Sequence, residues 1–287
     1  MNDTTCNQIS LEMSDSANKL RSEILSSPSS TPVAVLFEGR QYGWDLDTLN
    51  YLLDNSIQSI PSSWVIHAFL RQNALDHLLK LPWFAANTRI AGKIILHLLP
   101  ESFKLNKQAY NQLLSQSTFW ASFSPASHVH IFELDTGYCD NSDKKLTDFT
   151  EFDYCGARWV YSCRNSNMSD PTRCVGNSGF SIWNRFMMEE LAKKYILPIN
   201  PINEGDALID QFWGDQMRAH WPNVKICSSD DADYFSVETI YDGQKKPIGW
   251  HKPYFDRWPQ TAQNIFLENC PSYRLITAHQ PINKTKK

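Results

Sequence analysis

The stretch HVHIFELDTGYCD, His128 to Asp140, decides how the rest of the chain is read. Its first half is an apolar run of strand length that ends directly in acid, at Glu133 and Asp135. Carboxylates at the end of a buried strand are fixed by the strand yet open on the loop side, which is the placement needed to hold a divalent cation against a phosphate. Taken alone, the stretch reads more readily as a strand followed by an Asp-Thr-Gly turn, so its meaning depends on what the chain places around it.

Upstream, residues 33–37 form a second continuous apolar run. It stops at Glu38-Gly39-Arg40, as a buried parallel strand with a charged tip does. Between these runs the spacing of apolar residues predicts helices over 45–57, 74–79 and 106–114, and strands over 64–70 and 94–99. Such alternation points to an α/β fold with a central, mostly parallel or mixed sheet flanked by helices. Downstream the pattern is less regular. Short strands are expected at 152–157, 179–183 and 224–227, and helices at 184–195, 206–219 and 260–268, with a turn-rich connection, PINPINEG, at 198–205. Residues 1–31, rich in Ser, Thr and Asn, read as a flexible arm, residues 32–270 as one domain, and 271–287 as a tail.

Composition narrows the function classes. A formal charge of −4 and a pI near 6.1 provide no basic stripe, which disfavours nucleic acid as a partner. No stretch reaches membrane-spanning length and no signal-peptide pattern opens the chain, so a soluble, cytoplasmic protein is expected. Seven cysteines are scattered without a CxxC pair or a Cys/His cluster at zinc spacing. They are expected to be reduced, partly buried thiols, with a Cys163–Cys174 bridge left open. Asn2, Asn167 and Asn283 begin glycosylation sequons, which matter only on a secretory route.

Several further groups are candidates for chemistry. Glu38 and Arg40, at a strand tip, suit a nucleotide: Arg40 toward phosphate or base, Glu38 toward ribose hydroxyls. The GxGxxG fingerprint of dinucleotide binders is absent. In VGNSGFS, residues 175–181, the glycines permit close backbone approach of a ligand, and Asn177 can bond to hydroxyls. In DALIDQFW, residues 206–213, Asp206 and Asp210 share a helix face. The apolar Ile209, Phe212 and Trp213 around Asp210 suit a pocket floor that raises its basicity. His251, after Gly-Trp, is a candidate metal or phosphate ligand, and Lys252 a diphosphate contact.

In order, VAVLFEGR, YNQLL, Phe119-Trp120, HIFELD, FDYCGARW, VGNSGFSIWNR, DQFW, FSVE and GWHKPY cover nearly all of residues 33–255. Together they resemble the domain-of-unknown-function family 5672, a group read as GT-A-type glycosyltransferases, and more distantly the viral GT-A enzymes that decorate algal-virus capsids. The resemblance implies a GT-A-like fold and transfer of a hexosyl or deoxyhexosyl group from a UDP- or GDP-type sugar to a glycan or protein acceptor, with Mn²⁺ or Mg²⁺. It implies Asp135 and His251 as metal ligands, with Glu133 as the possible first acid of a DxD-like pair and a donor-site residue alongside Glu38, Arg40 and Lys252. It further implies Asn177, Gly179 and Trp213 on the sugar or acceptor side, and Asp210 as catalytic base. Three positions depart from the family pattern: Ile209 stands where Glu is usual, Ser178 where Gly is, and Trp183 where Arg is frequent. The first departure motivates an alternative, a non-catalytic nucleotide-sugar or carbohydrate binding module on the same fold.

Overall fold

The strand β1 (Val33–Glu38) carries no polar side chain before Glu38, and it is buried from Ala34 onward. A strand apolar on both faces belongs in the middle of a sheet covered on both sides. The computed structural model describes residues 31–38, 46–84, 92–100, 107–159, 175–195 and 209–277, with backbone alone at 107, 108 and 209–211. After β1 comes helix α1 (Leu46–Ser59), which turns Leu49, Leu52, Leu53 and Ser56 inward, a spacing that forms one helical face. Strand β2 (Val65–Leu70), helix α2 (Gln72–Leu78) and strand β3 (Ile94–Leu98) follow. Helices α3 (Lys107–Leu114) and α4 (Ser117–Ala121) then lead to β4 (His128–Glu133).

These strands belong to a six-stranded sheet of order β3-β2-β1-β4-β7-β6. The four from β3 to β4 are parallel. Next to them β7 (Phe180–Asn184) runs antiparallel to β4, and the edge strand β6 (Tyr154–Gly156) antiparallel to β7. The protein is therefore an α/β fold with a mixed central sheet flanked by helices. From β1 the chain winds outward through β2 and β3, then returns to the opposite side of β1 as β4. Strand order thus reverses between β1 and β4, where Phe37 and Glu133 are register partners. In open α/β sheets the carboxyl edge at such a reversal is where ligands bind.

The chain leaves β4 through a turn at Leu134 and Asp135 and enters β5 (Thr136–Tyr138). This strand joins a second, three-stranded sheet of order β5-β9-β8. There β9 (Gly249–His251) runs antiparallel to β5, and β8 (Ser236–Val237) parallel to β9. Helices α5 (Arg185–Lys194), α6 (Ile209–His220), α7 (Ser229–Phe235), α8 (Gln260–Asn269) and α9 (Ser272–Thr277) complete the described fold. Asn184 begins α5 by accepting the Met187 N–H on its side chain, as an N-cap residue does. Helix α9 lies within the stretch expected as a tail; it packs on α1 and β5, with Ile276 buried.

The core is rich in large aromatics: Trp64, Trp120, Trp183, Trp213 and Trp250 are fully buried. Trp183 stacks on Tyr154 at 3.9 Å and donates to Ser181 Oγ. It serves packing. Two sequence expectations are overturned. Residues 224–227 form no strand, only a single bridge from Ile226 to Tyr154. Nearby, Asp153 bonds to Lys225 through both its backbone and its side chain. The thiols are not all reduced either: Cys139–Cys270 and Cys155–Cys227 are disulfides. Their sequence separations of 131 and 72 residues hide the pairing, because only the folded sheets bring the partners together. Cys6, Cys163, Cys174, the sequons, the N-terminal arm and residues 198–205 lie outside the described residues. Among those described, no helix is long and apolar enough to cross a membrane.

Candidate metal centre

Three chain segments end in one corner at the carboxyl edge of the large sheet. The first is the end of β4, which delivers Glu133 and, after the turn, Asp135. Its backbone is pinned there, since the Glu133 N–H donates to the Gly179 carbonyl at 2.9 Å and Thr136 Oγ1 donates to the Glu133 carbonyl at 2.6 Å. The second is β9, whose last residue, His251, is the register partner of Thr136. The third is the exit from β8, which leads to Glu238. One ligand atom from each of Glu133, Asp135 and His251 lies within 4.8 Å of the others.

His251 is buried, and its two ring nitrogens have different company. Nε2 lies 3.7 Å from Asp135 Oδ1 and has no hydrogen-bond partner among the described residues. Nδ1 lies 2.7 Å from Asn177 Nδ2 and 3.4 Å from Glu238 Oε1. Burial works against a charged ring, but Glu238, with help from Asp135 and against Lys252, outweighs it and holds the pKa above the ordinary histidine value. With Asn177 Nδ2 donating in the short contact, Nδ1 is the acceptor and the ring proton is assigned to Nε2.

Lys252 closes the corner. Its Nζ lies 2.9 Å from Asp135 Oδ2, and its backbone N–H donates to the Asp135 carbonyl at 3.1 Å. The residue has φ of 42°, a left-handed conformation that side chains other than glycine rarely adopt and that clusters at functional sites. About half of its side chain remains exposed.

A cation suits this donor set. Ligands about 2.0–2.3 Å from one ion lie roughly 3–4 Å apart, and the 3.7 Å between His251 Nε2 and Asp135 Oδ1 fits that range. A buried nitrogen aimed into the cluster without a bonding partner is the second sign, since such atoms ordinarily find one.

Several sequence candidates take different places from those expected. Asn177 does not reach into open space: its Oδ1 accepts the Phe180 N–H at 3.0 Å, and its Nδ2 faces Glu238 Oε2 at 2.6 Å and the His251 ring. The Tyr154 hydroxyl accepts from its backbone N–H at 2.8 Å and donates to its carbonyl at 3.0 Å. Asn177 therefore holds other site residues. Gly179 has close company, but from the protein itself: a Cβ there would lie 2.5 Å from His251 Nε2. Trp213 is fully buried in the core and cannot serve as a surface on which a sugar stacks. Glu38 lies at the carboxyl edge on the strand beside Glu133, and is buried. Arg40 lies outside the described residues, and of Asp210 only the backbone is described, as the second residue of α6. Glu238 had no role read from its sequence. Its one local signal was a lone acid at the end of the short apolar run FSVE.

Fold and site together define an α/β protein with an acid–histidine cluster at the switch point of a mixed sheet. A family model described as a protein of unknown function (DUF5672) matches residues 93–251, more than half of the 287-residue chain, and the chain belongs to that family. The matched region runs from just before β3 to His251 and contains Glu133, Asp135, Asn177, Gly179 and Glu238. No curated protein matches the chain.

Proposed function

We propose that this corner is the donor site of a metal-dependent glycosyltransferase of GT-A type, which moves a sugar from a nucleotide-diphosphate donor to a glycan or protein hydroxyl. The observation that carries the reading is the convergence of Glu133, Asp135 and His251, ligand atoms within 4.8 Å of one another, at the carboxyl edge where strand order reverses. A strand-end acid pair meeting a histidine offers donors for a cation that a nucleoside diphosphate can share. Asp135 and His251 would hold the cation, with Glu133 beside them. Carboxylate and imidazole donors together favour Mn²⁺ over Mg²⁺, which prefers oxygen alone. When bound, the cation offsets negative charge growing on the leaving diphosphate.

The protein's own groups supply the rest. Lys252 adds a positive charge at the rim for a diphosphate oxygen. Glu38 stands at the neighbouring strand tip for ribose hydroxyls. Asp210 is proposed as the base that deprotonates the acceptor hydroxyl, and a base on the face opposite the leaving group gives inversion. The two disulfides support folding in an oxidising compartment rather than the cytosol.

Thermal melts with Mn²⁺ and a panel of UDP- and GDP-sugars test the reading. A donor at about 100 times its Kd adds roughly 2.7 kcal/mol, which corresponds to a Tm rise of about 5–10 °C for a chain of this size. Asp135→Ala abolishes the rise. Asp210→Asn keeps it but abolishes transfer, whereas a pure binding module shows no transfer in the unsubstituted protein. A flat response across the panel overturns the proposal.

A further inference from the structure

We infer that Glu238 is a positioning residue that selects which nitrogen of His251 carries the ring proton, and thereby makes Nε2 available to a cation; the inference rests on the cation-binding reading of the same corner. The argument begins at Asn177. Its amide has one orientation, because Oδ1 accepts the Phe180 N–H and an NH₂ group in that place could not. Nδ2 therefore faces the opposite way, with one hydrogen for Glu238 Oε2 at 2.6 Å and the other for His251 Nδ1 at 2.7 Å.

In that arrangement Nδ1 is an acceptor and the ring proton sits on Nε2, 3.7 Å from Asp135 Oδ1. A protonated nitrogen has no lone pair for a cation. Coordination through Nε2 requires the other tautomer, whose Nδ1–H needs an acceptor. Glu238 Oε1 stands ready at 3.4 Å. The exchange removes one proton from Nε2 and adds one to Nδ1, so net charge is unchanged. Asn177 gives up its bond to the ring and keeps the one to Glu238.

Glu238 is placed for this by the small sheet. It directly follows β8, where Val237 is the register partner of Trp250, and so arrives beside His251. The Tyr254 N–H donates to its carbonyl at 3.1 Å, and the residue is 2% exposed. A carboxylate so deeply buried requires compensation by neighbouring groups, and here those neighbours are Asn177 and His251. Histidines that bind metals generally donate their second ring N–H to such a partner, which fixes the tautomer and raises ligand basicity.

Glu238→Gln tests this with little change of shape. Its amide oxygen still accepts from Asn177, but its NH₂ faces Nδ1 and locks the proton onto Nε2. Mn²⁺ affinity, read from the paramagnetic resonance signal of free Mn²⁺ with and without UDP or GDP, is expected to fall about 10- to 100-fold. Ring ¹⁵N shifts of His251, recorded with Zn²⁺ as a diamagnetic cation that takes imidazole ligands, are expected to report Nδ1–H in the unsubstituted protein and Nε2–H in the variant. Glu238→Asp keeps a carboxylate, and if the Gln variant proves unstable it decides the matter: an Nδ1–H signal with Zn²⁺ supports the inference and Nε2–H overturns it. Mn²⁺ binding in the unsubstituted protein with equal affinity in Glu238→Gln overturns this inference alone. No Mn²⁺ binding in the unsubstituted protein overturns it together with the cation reading.

Discussion

At Gly179 the absence of a side chain is what lets the site form. The His251 ring lies where a Cβ would be, with Nε2, Cδ2 and Cε1 all within 2.7 Å of that position. An imidazole cannot flex away as a long aliphatic chain can, and its other edge is held against Asn177 and Glu238. Gly179→Ala is therefore expected to displace the ring from Asp135, weakening Mn²⁺ binding at least about tenfold while costing about 1–3 kcal/mol in stability from overpacking. Calorimetric titration and urea unfolding read the two effects separately. An alanine variant with unchanged affinity contradicts the packing argument. Asp135 and His251 were singled out only in the company of the other motifs, since a strand-end acid and a loop histidine are each common by themselves; the fold brings them to 3.7 Å. Glu238 was not, because its importance comes from a histidine 13 positions away that only the small sheet brings alongside.

Among the elements, the junction from β4 to β5 matters most. One chain segment passes from the large sheet to the small one through the Leu134–Asp135 turn, so both sheets fix the acids at once. The apolar run predicted β4, but β5 is only a three-residue strand whose existence depends on pairing with β9. Short elements of this kind carry little periodicity, which is also why β8 and β9 were not foreseen. The disulfides brace the same region. Cys139 directly follows β5 and is tied to Cys270 at the end of α8, while Cys155 in β6 is tied to Cys227 beside the Ile226 bridge. Replacing Cys155 and Cys227 together by Ala is expected to cost about 2–4 kcal/mol, measured by urea unfolding. Peptide mapping without reductant should recover both linked pairs. Alkylation of all four thiols in the native, unreduced protein contradicts the pairing.

For the molecule as a whole, acid stability follows from a histidine outside the candidate site. His130 is fully buried in β4, its Nδ1–H donating to the Ser181 carbonyl at 2.9 Å while the Tyr138 hydroxyl donates to Nε2 at 2.8 Å. The neutral ring is thus fully satisfied. Burial, opposed only in part by the Ser181 bond, lowers its pKa from 6.5 to about 4. The unfolded chain takes up a proton below about pH 6.5 that the folded chain refuses until near pH 4. Stability present above that window is consequently lost as pH falls through it, by on the order of 3 kcal/mol for this group. His67, also lowered to about 4 by burial and by His97, acts in the same direction. Urea midpoints at pH 7.5, 5.5 and 4.5 should fall steadily, with His130→Gln reducing the slope. A midpoint unchanged down to pH 4.5 contradicts the buried neutral histidine.

What this chain's sequence determined by itself is the large sheet and its acidic edge. A continuous apolar run such as 33–37, ending in a charged tip, reads as a strand covered on both faces, and the helical spacings that follow it point to parallel connections. Those are local patterns, and local patterns survive in one dimension. Tertiary structure alone decided which polar groups meet. Asn177, Glu238 and His251 belong to three separate segments, the disulfide partners lie 72 and 131 residues apart, and Trp213 passed from candidate sugar platform to core. Contacts of that range depend on how β5, β8 and β9 pair, and on the small residue at Gly179 that lets a histidine ring settle against the strand end where Glu133 and Asp135 emerge.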